Sequence, residues 1–299
     1  MRSSDDPPVS FDPQIYRSLH PDLATFTDDQ LAKHYRRHGK AEGRLSHAVA
    51  DRQSFINLAG SSRALEIGPY DRPLLTGPNV RYADIFSTEQ LRDKAKQENL
   101  RPEGVPQIDW VVQPTDLSPI DQTFDVVISS HAVEHQPNLV AHLRQVSNLL
   151  NPGGRYLLLV PDYRYCFDHF KTPSTIADVL DAYCRGDGRH APRSLVQSRL
   201  LMTHNDSVRH WNGDHGESEI NPEFPGVDRI GLLQIALDEI QNKPHALRNE
   251  HAWMFHPDNF ESIINDLVAL ELFDLHLERL YPTIYQAIEF WAILRKPGG

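Results

Sequence analysis

Residues 124–162, FDVVISSHAVEHQPNLVAHLRQVSNLLNPGGRYLLLVPD, constrain the fold more than any other stretch. Residues 125–129 and 156–160 are short, nearly continuous apolar runs, the pattern of strands buried on both faces of a parallel sheet. Between them Leu139, Leu143, Val146, Leu149 and Leu150 recur at helical spacing and give one apolar face. Asn151-Pro-Gly-Gly154 ends that helix, because proline cannot continue it and glycine accepts the left-handed turn back to the sheet. Strand, helix and parallel strand make a right-handed crossover. The connection at 129–137, with His131, Glu134 and His135, therefore lies at the carboxyl edge of the strands, where open α/β sheets bind ligands.

The remaining chain extends this unit. Apolar runs at 63–67, 80–84 and 108–112, separated by helical patterns or long connections, predict three further strands of a doubly wound parallel sheet. Helices are expected at 50–57 and 91–99. A helix opened by Pro257, then strand-like runs at 275–280 and 284–294, predict an antiparallel hairpin that completes a seven-stranded Rossmann-like sheet. Residues 163–256 form an insertion expected to cover the substrate, with amphipathic helices at 174–185, 191–203 and 227–241 around a His-rich loop at 204–216. At the other end, residues 1–10 read as a disordered leader and 11–48 as a helical module. In that module Thr27 and Gln30 have capping-box spacing, Leu31, Tyr35 and His38 share a face, and Gly39 and Gly43 end the helix. The core domain then spans 49–162, and 257–299 closes the sheet.

Charge and composition remove several function classes. A formal charge of -11 over 299 residues argues against a nucleic-acid surface, which needs clustered Lys and Arg, but leaves room for an anionic small molecule in a local pocket. Two cysteines, Cys166 and Cys184, supply no disulfide framework and read as packing residues, which suits a reducing cytoplasm. No signal peptide and no membrane-length apolar run is visible.

The set Glu66-x-Gly68, Asp84 at the next strand end, Asp116-Leu117 and the 124–162 stretch resembles class I S-adenosylmethionine-dependent methyltransferases. The resemblance implies that Glu66, Gly68 and Pro69 meet the amino-acid portion of S-adenosylmethionine and that Asp84 accepts both ribose hydroxyls. It further implies that Asp116 and Leu117 hold the adenine while Ser130 and His131 border the methyl. The loop Gly68-Pro-Tyr-Asp-Arg-Pro73 lacks the second and third glycines that a pyrophosphate needs, which favours the methyl donor over a dinucleotide. That loop is similar to a bacterial subgroup encoded among glycan-assembly enzymes. Residues 11–44, with a His-Pro-Asp and a Gly-Lys-x-Glu-Gly-Arg, are similar to a short helical module found beside enzymes of surface-glycan synthesis. The plainer reading of that module is an arm that packs on the main domain or on a second copy of the chain.

These observations lead to the expectation of methyl transfer to a sugar hydroxyl, the acceptor being a free, nucleotide-linked or lipid-linked sugar. Such a transfer needs a base; His135 and His131 are the first candidates, and His210 and Asp214 in the His-rich loop the second. His204, His210, Asp214 and His215 suit either a divalent metal or a polar lid. Asp162, Arg164, Trp211 and His215 are candidate acceptor contacts; Arg164 reads equally as a phosphate ligand or as a partner of Asp168 four residues on. HAWMFH at 251–256 reads as core aromatics. Two rival functions stay open: N- or carboxyl-methylation of a small metabolite, and a non-catalytic scaffold of a glycan-synthesis complex.

Overall fold

The computed structural model of the chain describes residues 11–39, 41–42, 44, 46–47, 49, 51–186, 188–217, 221–242 and 250–298. The expected leader lies outside the described residues. Seven strands form one sheet: β1 (Ala64–Ile67), β2 (Val80–Asp84), β3 (Trp110–Val111), β4 (Phe124–Ser130), β5 (Leu150–Pro161), β6 (His276–Tyr281) and β7 (Glu289–Arg295), in the order β3-β2-β1-β4-β5-β7-β6. The first five run parallel, and β7 pairs antiparallel with both β5 and β6.

The apolar runs are explained by burial on both faces. Along β5, Tyr156, Leu158 and Val160 enter one core cluster, while Leu157 and Leu159 enter the cluster on the opposite face. Period-two alternation therefore places apolar groups on each side, and no polar face remains. The first cluster receives Leu139, Leu143, Val146 and Leu149 of α5 (Leu139–Leu149) and Phe260, Ile263, Ile264 and Leu267 of α10 (Pro257–Ala269). The second receives Phe55 and Ile56 of α3 (Arg52–Ile56), with Phe55 stacked on Trp291 at 5.6 Å between ring centres. α4 (Thr88–Gln97) buries Leu91 and Ala95 in a smaller cluster with Val105 and Ile108.

Before the sheet, α1 (Pro13–Leu19) and α2 (Asp28–His34) hold a cluster of Phe11, Tyr16, Leu23, Leu31 and Ala32. Thr27 and Gln30 form the expected capping box, and the helix widens into a π turn over Tyr35–Gly39. Asp12 N–H donates to the Ser46 carbonyl, and the His47 ring meets Tyr281 edge-on. The insertion carries α6 (Ile176–Arg185), α7 (Pro192–Leu201) and α9 (Arg229–Asn242), close to the expected spans. The His-rich loop is not wholly irregular: Asp206 caps a short helix, α8 (Ser207–Trp211).

Two expectations need correction. β3 is only two residues long, because the Ile108 N–H is taken by the Thr88 hydroxyl rather than by a neighbouring strand. Cys166 is buried as expected, but Cys184 is exposed.

Candidate active site

A cavity of about 800 Å³ opens at the carboxyl edge of β1, β2 and β4. Its size suits a ligand larger than a single nucleotide base. Gly68, at the end of β1, has φ +73°, and an added Cβ would meet only Ala132 Cβ at 3.8 Å. Glycine is needed there for its backbone, not for space. Asp84 ends β2 and is buried; its Oδ1 accepts from the Phe86 N–H, and burial holds its carboxyl above the usual range. Phe86, Leu91, Val112 and Leu117 give the cavity apolar walls, and Asp84 and Asp116 add two carboxylates to its lining.

His131 follows β4 with φ +49°, a conformation uncommon for non-glycine residues and one that clusters at functional sites. Its Nε2 lies 2.8 Å from Glu289 Oε2 at the start of β7. Burial opposes protonation of this ring, but the Glu289 hydrogen bond and the charges of Glu134 and Glu289 outweigh it, so His131 is raised. Arg52 of α3 also reaches Glu289, at 2.5 Å, and Trp291 Nε1 donates to its other oxygen. The Glu289 carboxylate is therefore held from three directions.

Five cofactor candidates from the sequence, Gly68, Asp84, Asp116, Leu117 and His131, line this cavity, and Glu66, Pro69 and Ser130 do not. Glu66 turns away to accept the N–H groups of Leu74 and Leu75 at 2.8–3.0 Å, so it latches the 68–75 loop instead of meeting a ligand. Burial pushes its carboxyl up to about 7. Ser130 Oγ is occupied by Arg52.

His135 also lines the cavity, but burial, assisted by the neighbouring His251 and His190, drops it to about 3. A ring so reluctant to take a proton is a weak base.

The other candidates lie away from the cavity. Asp162 is fully buried and accepts from Arg164 Nε at 2.9 Å, Arg164 Nη2 at 2.6 Å and the Thr283 hydroxyl at 2.6 Å. Arg164 thus pairs with Asp162, not with Asp168. Trp211 stacks on Tyr165 at 4.0 Å and 7° and donates Nε1 to the Ala287 carbonyl, which anchors α8. In the His-rich loop the expected metal set does not assemble: Asp214 pairs with Arg209, and both His204 nitrogens are occupied, by the Asp214 carbonyl and the Asp206 N–H. His210 and His215 come together with His169 instead, but His169 and His215 stack at 3.7 Å and 8°. Parallel rings cannot both point their nitrogens at one ion. Burial also lowers His210 to about 4.

Sequence reasoning missed Glu289 and the insertion's contribution of Arg185, Arg189 and His190 to the cavity wall. Glu289 carried no local signal, since its contact with His131 arises from sheet order. Among the described residues no helix is long and apolar enough to cross a membrane.

A family model described as a methyltransferase domain matches residues 33–267, well over half the chain. No curated protein matches the sequence significantly. Solved structures with a similar arrangement include a S-adenosylmethionine-dependent methyltransferase from Clostridium acetobutylicum, at 12% identity over 88% of this chain and 99% of that one, TM-score 0.40. The N-methyltransferase NodS from Bradyrhizobium japonicum aligns at 12% identity over 81% and 90%, TM-score 0.36. The CcbJ methyltransferase from Streptomyces caelestis aligns at 19% identity over 42% of this chain and about half (52%) of its own, TM-score 0.28. The extent of the family match decides the assignment: the chain belongs to the methyltransferase domain family.

Proposed function

We propose that the protein methylates a hydroxyl of a sugar-like small molecule, with His131 as the base. The observation that carries this reading is the His131–Glu289 pair at the cavity edge. A hydroxyl must lose its proton as the methyl arrives, whereas an amine attacks through a free lone pair and needs no such pair. When bound, S-adenosylmethionine supplies a methyl on a positively charged sulfur. Asp84 would accept the ribose hydroxyls, and Asp116 with Leu117 would hold the adenine. Glu289 fixes the His131 ring and favours its cationic form, so the proton taken from the acceptor stays on the imidazole. Arg185, Arg189 and His190 sit on the insertion side of the same cavity. Arg185 Nε pairs with Asp181 at 3.1 Å and His190 Nε2 lies 3.0 Å from the His135 carbonyl; guanidinium groups match phosphate geometry, so Arg185 and Arg189 would suit an acceptor carrying phosphate, such as a nucleotide-linked sugar.

The test is a panel of nucleotide-linked sugars, free sugars and amines with isotope-labelled donor, read by mass spectrometry. Labelled O-methyl sugar is the expected product. His131→Ala is expected to lower turnover about 10²- to 10⁴-fold while S-adenosylhomocysteine affinity by calorimetry stays within a factor of about three. Methylation of amines alone, or a variant as fast as the wild type, would overturn the reading.

A further inference from the structure

We infer that Glu134, His135 and His251 form a binding site for one divalent transition-metal ion at the rim of the cavity. Glu134 has no solvent exposure, and among the described residues neither of its carboxylate oxygens receives a hydrogen bond. Leaving a buried carboxyl group without a partner is costly. Two imidazoles face it: His135 Nε2 and His251 Nε2 each stand 3.7 Å from Glu134 Oε1. That is too long for a hydrogen bond. It is close to the roughly 3.4 Å that separates two ligand atoms sharing a tetrahedral zinc at about 2.1 Å.

His251 is oriented from behind by Asp168. Its Nδ1 lies 2.5 Å from Asp168 Oδ2, which leaves Nε2 as the nitrogen turned toward Glu134. The carboxylate–imidazole arrangement is the outer support that metal-bound histidines use. Asp168 is itself held by Lys171 Nζ at 2.5 Å, with both groups buried.

The scaffold holds the three ligands rigidly. The N–H groups of Ala252 and Trp253 donate to the Glu134 carbonyl, and Trp253 Nε1 donates to the Gln136 carbonyl. The 250–253 segment is thereby tied to the turn that carries Glu134 and His135. His135 is the member that also lines the cavity, so the ion would border the space left for the acceptor. Two imidazoles and one carboxylate suit zinc, iron(II), cobalt(II) or manganese(II) better than calcium or magnesium.

The experiment is titration of chelator-treated full-length protein with cobalt(II), read by visible d–d absorption, alongside zinc-dependent thermal shifts. A saturable spectrum with one ion per chain is expected. Glu134→Gln, similar in shape and expected to fold by circular dichroism, should lose it, and Asp168→Asn should weaken affinity about 10- to 100-fold. His210→Ala, in the other histidine cluster, should leave the spectrum intact. Should Glu134→Gln not fold, His135→Ala, at a half-buried ring, replaces it and carries the same expectation. No cobalt spectrum in the wild type, a spectrum that survives loss of a ligand, or one abolished by His210→Ala would overturn the site. None of these readouts depends on methyl transfer.

Discussion

Glu66 allows a quantitative test of how the 68–75 loop is held. Its carboxylate is 2% exposed and is raised from 4.5 to about 7, chiefly by burial, with the Leu74 and Leu75 N–H groups acting in the opposite direction. A displacement of that size corresponds to about 3 kcal/mol. The sign follows from which state holds the proton. Below about pH 4.5 the group is protonated in both folded and unfolded chains, and its stabilising contribution is fully present. Between 4.5 and 7 the unfolded chain ionises while the folded one retains its proton, so stability falls as pH rises. Above 7 the loss is complete. Glu66→Gln cannot titrate, but it turns an amide donor toward one N–H, so at pH 4.5 it should be less stable than the wild type by about 1–3 kcal/mol. The gap should then close by about 3 kcal/mol between pH 4.5 and 8. Asp84 and Glu134, which are also raised, titrate alike in both proteins and cancel in the difference. Urea denaturation of both proteins across this range, with matched m-values, measures the gap directly. Parallel stability curves would show that Glu66 is ionised throughout, and the argument from burial would fail.

Asp84→Asn keeps the acceptor for the Phe86 N–H but replaces the carboxylate proposed to meet the donor's ribose with a neutral amide. S-adenosylhomocysteine should bind about 100-fold more weakly by calorimetry, a loss of roughly 3 kcal/mol; an unchanged Kd would move the ribose elsewhere. Gly39→Ala would put a Cβ 2.1 Å from the hydroxyl of Tyr16, a fully buried ring hydrogen-bonded to His34. Overpacking of about 1–3 kcal/mol should make residues 11–39 more sensitive to protease while cofactor affinity stays constant. A parallel change in Kd would link the module to the site.

What the sequence disclosed was governed by local chemistry. β4, β5 and α5 were readable because both faces of the sheet are apolar and the helix face repeats, and the Thr27–Gln30 cap because its partners are three residues apart. The Arg164 partner was misjudged for a local reason as well. A four-residue spacing makes a pair only on a helix, and the chain makes a single 3-10 turn at Tyr163–Tyr165 before Cys166 becomes extended, so the guanidinium folds back to Asp162. Glu66 was misjudged because an acidic residue at a strand end looks the same whether it meets a ligand or the backbone of its own loop. His251 and Glu289 were beyond reach, because their partners Glu134 and His131 lie more than a hundred residues earlier and meet them only after the sheet closes.

The place of β7 bears on how the protein is made. This strand comes last of the seven in sequence, yet it lies between β5 and β6 and carries Glu289. During synthesis β1 to β5 leave the ribosome first, and His131 emerges without the carboxylate that orients it. Contacts across such long sequence separations form slowly, and an incomplete sheet leaves the β5 edge open to other chains. A nascent chain would therefore acquire its oriented imidazole and lose its exposed edge in one late event, the docking of a single strand.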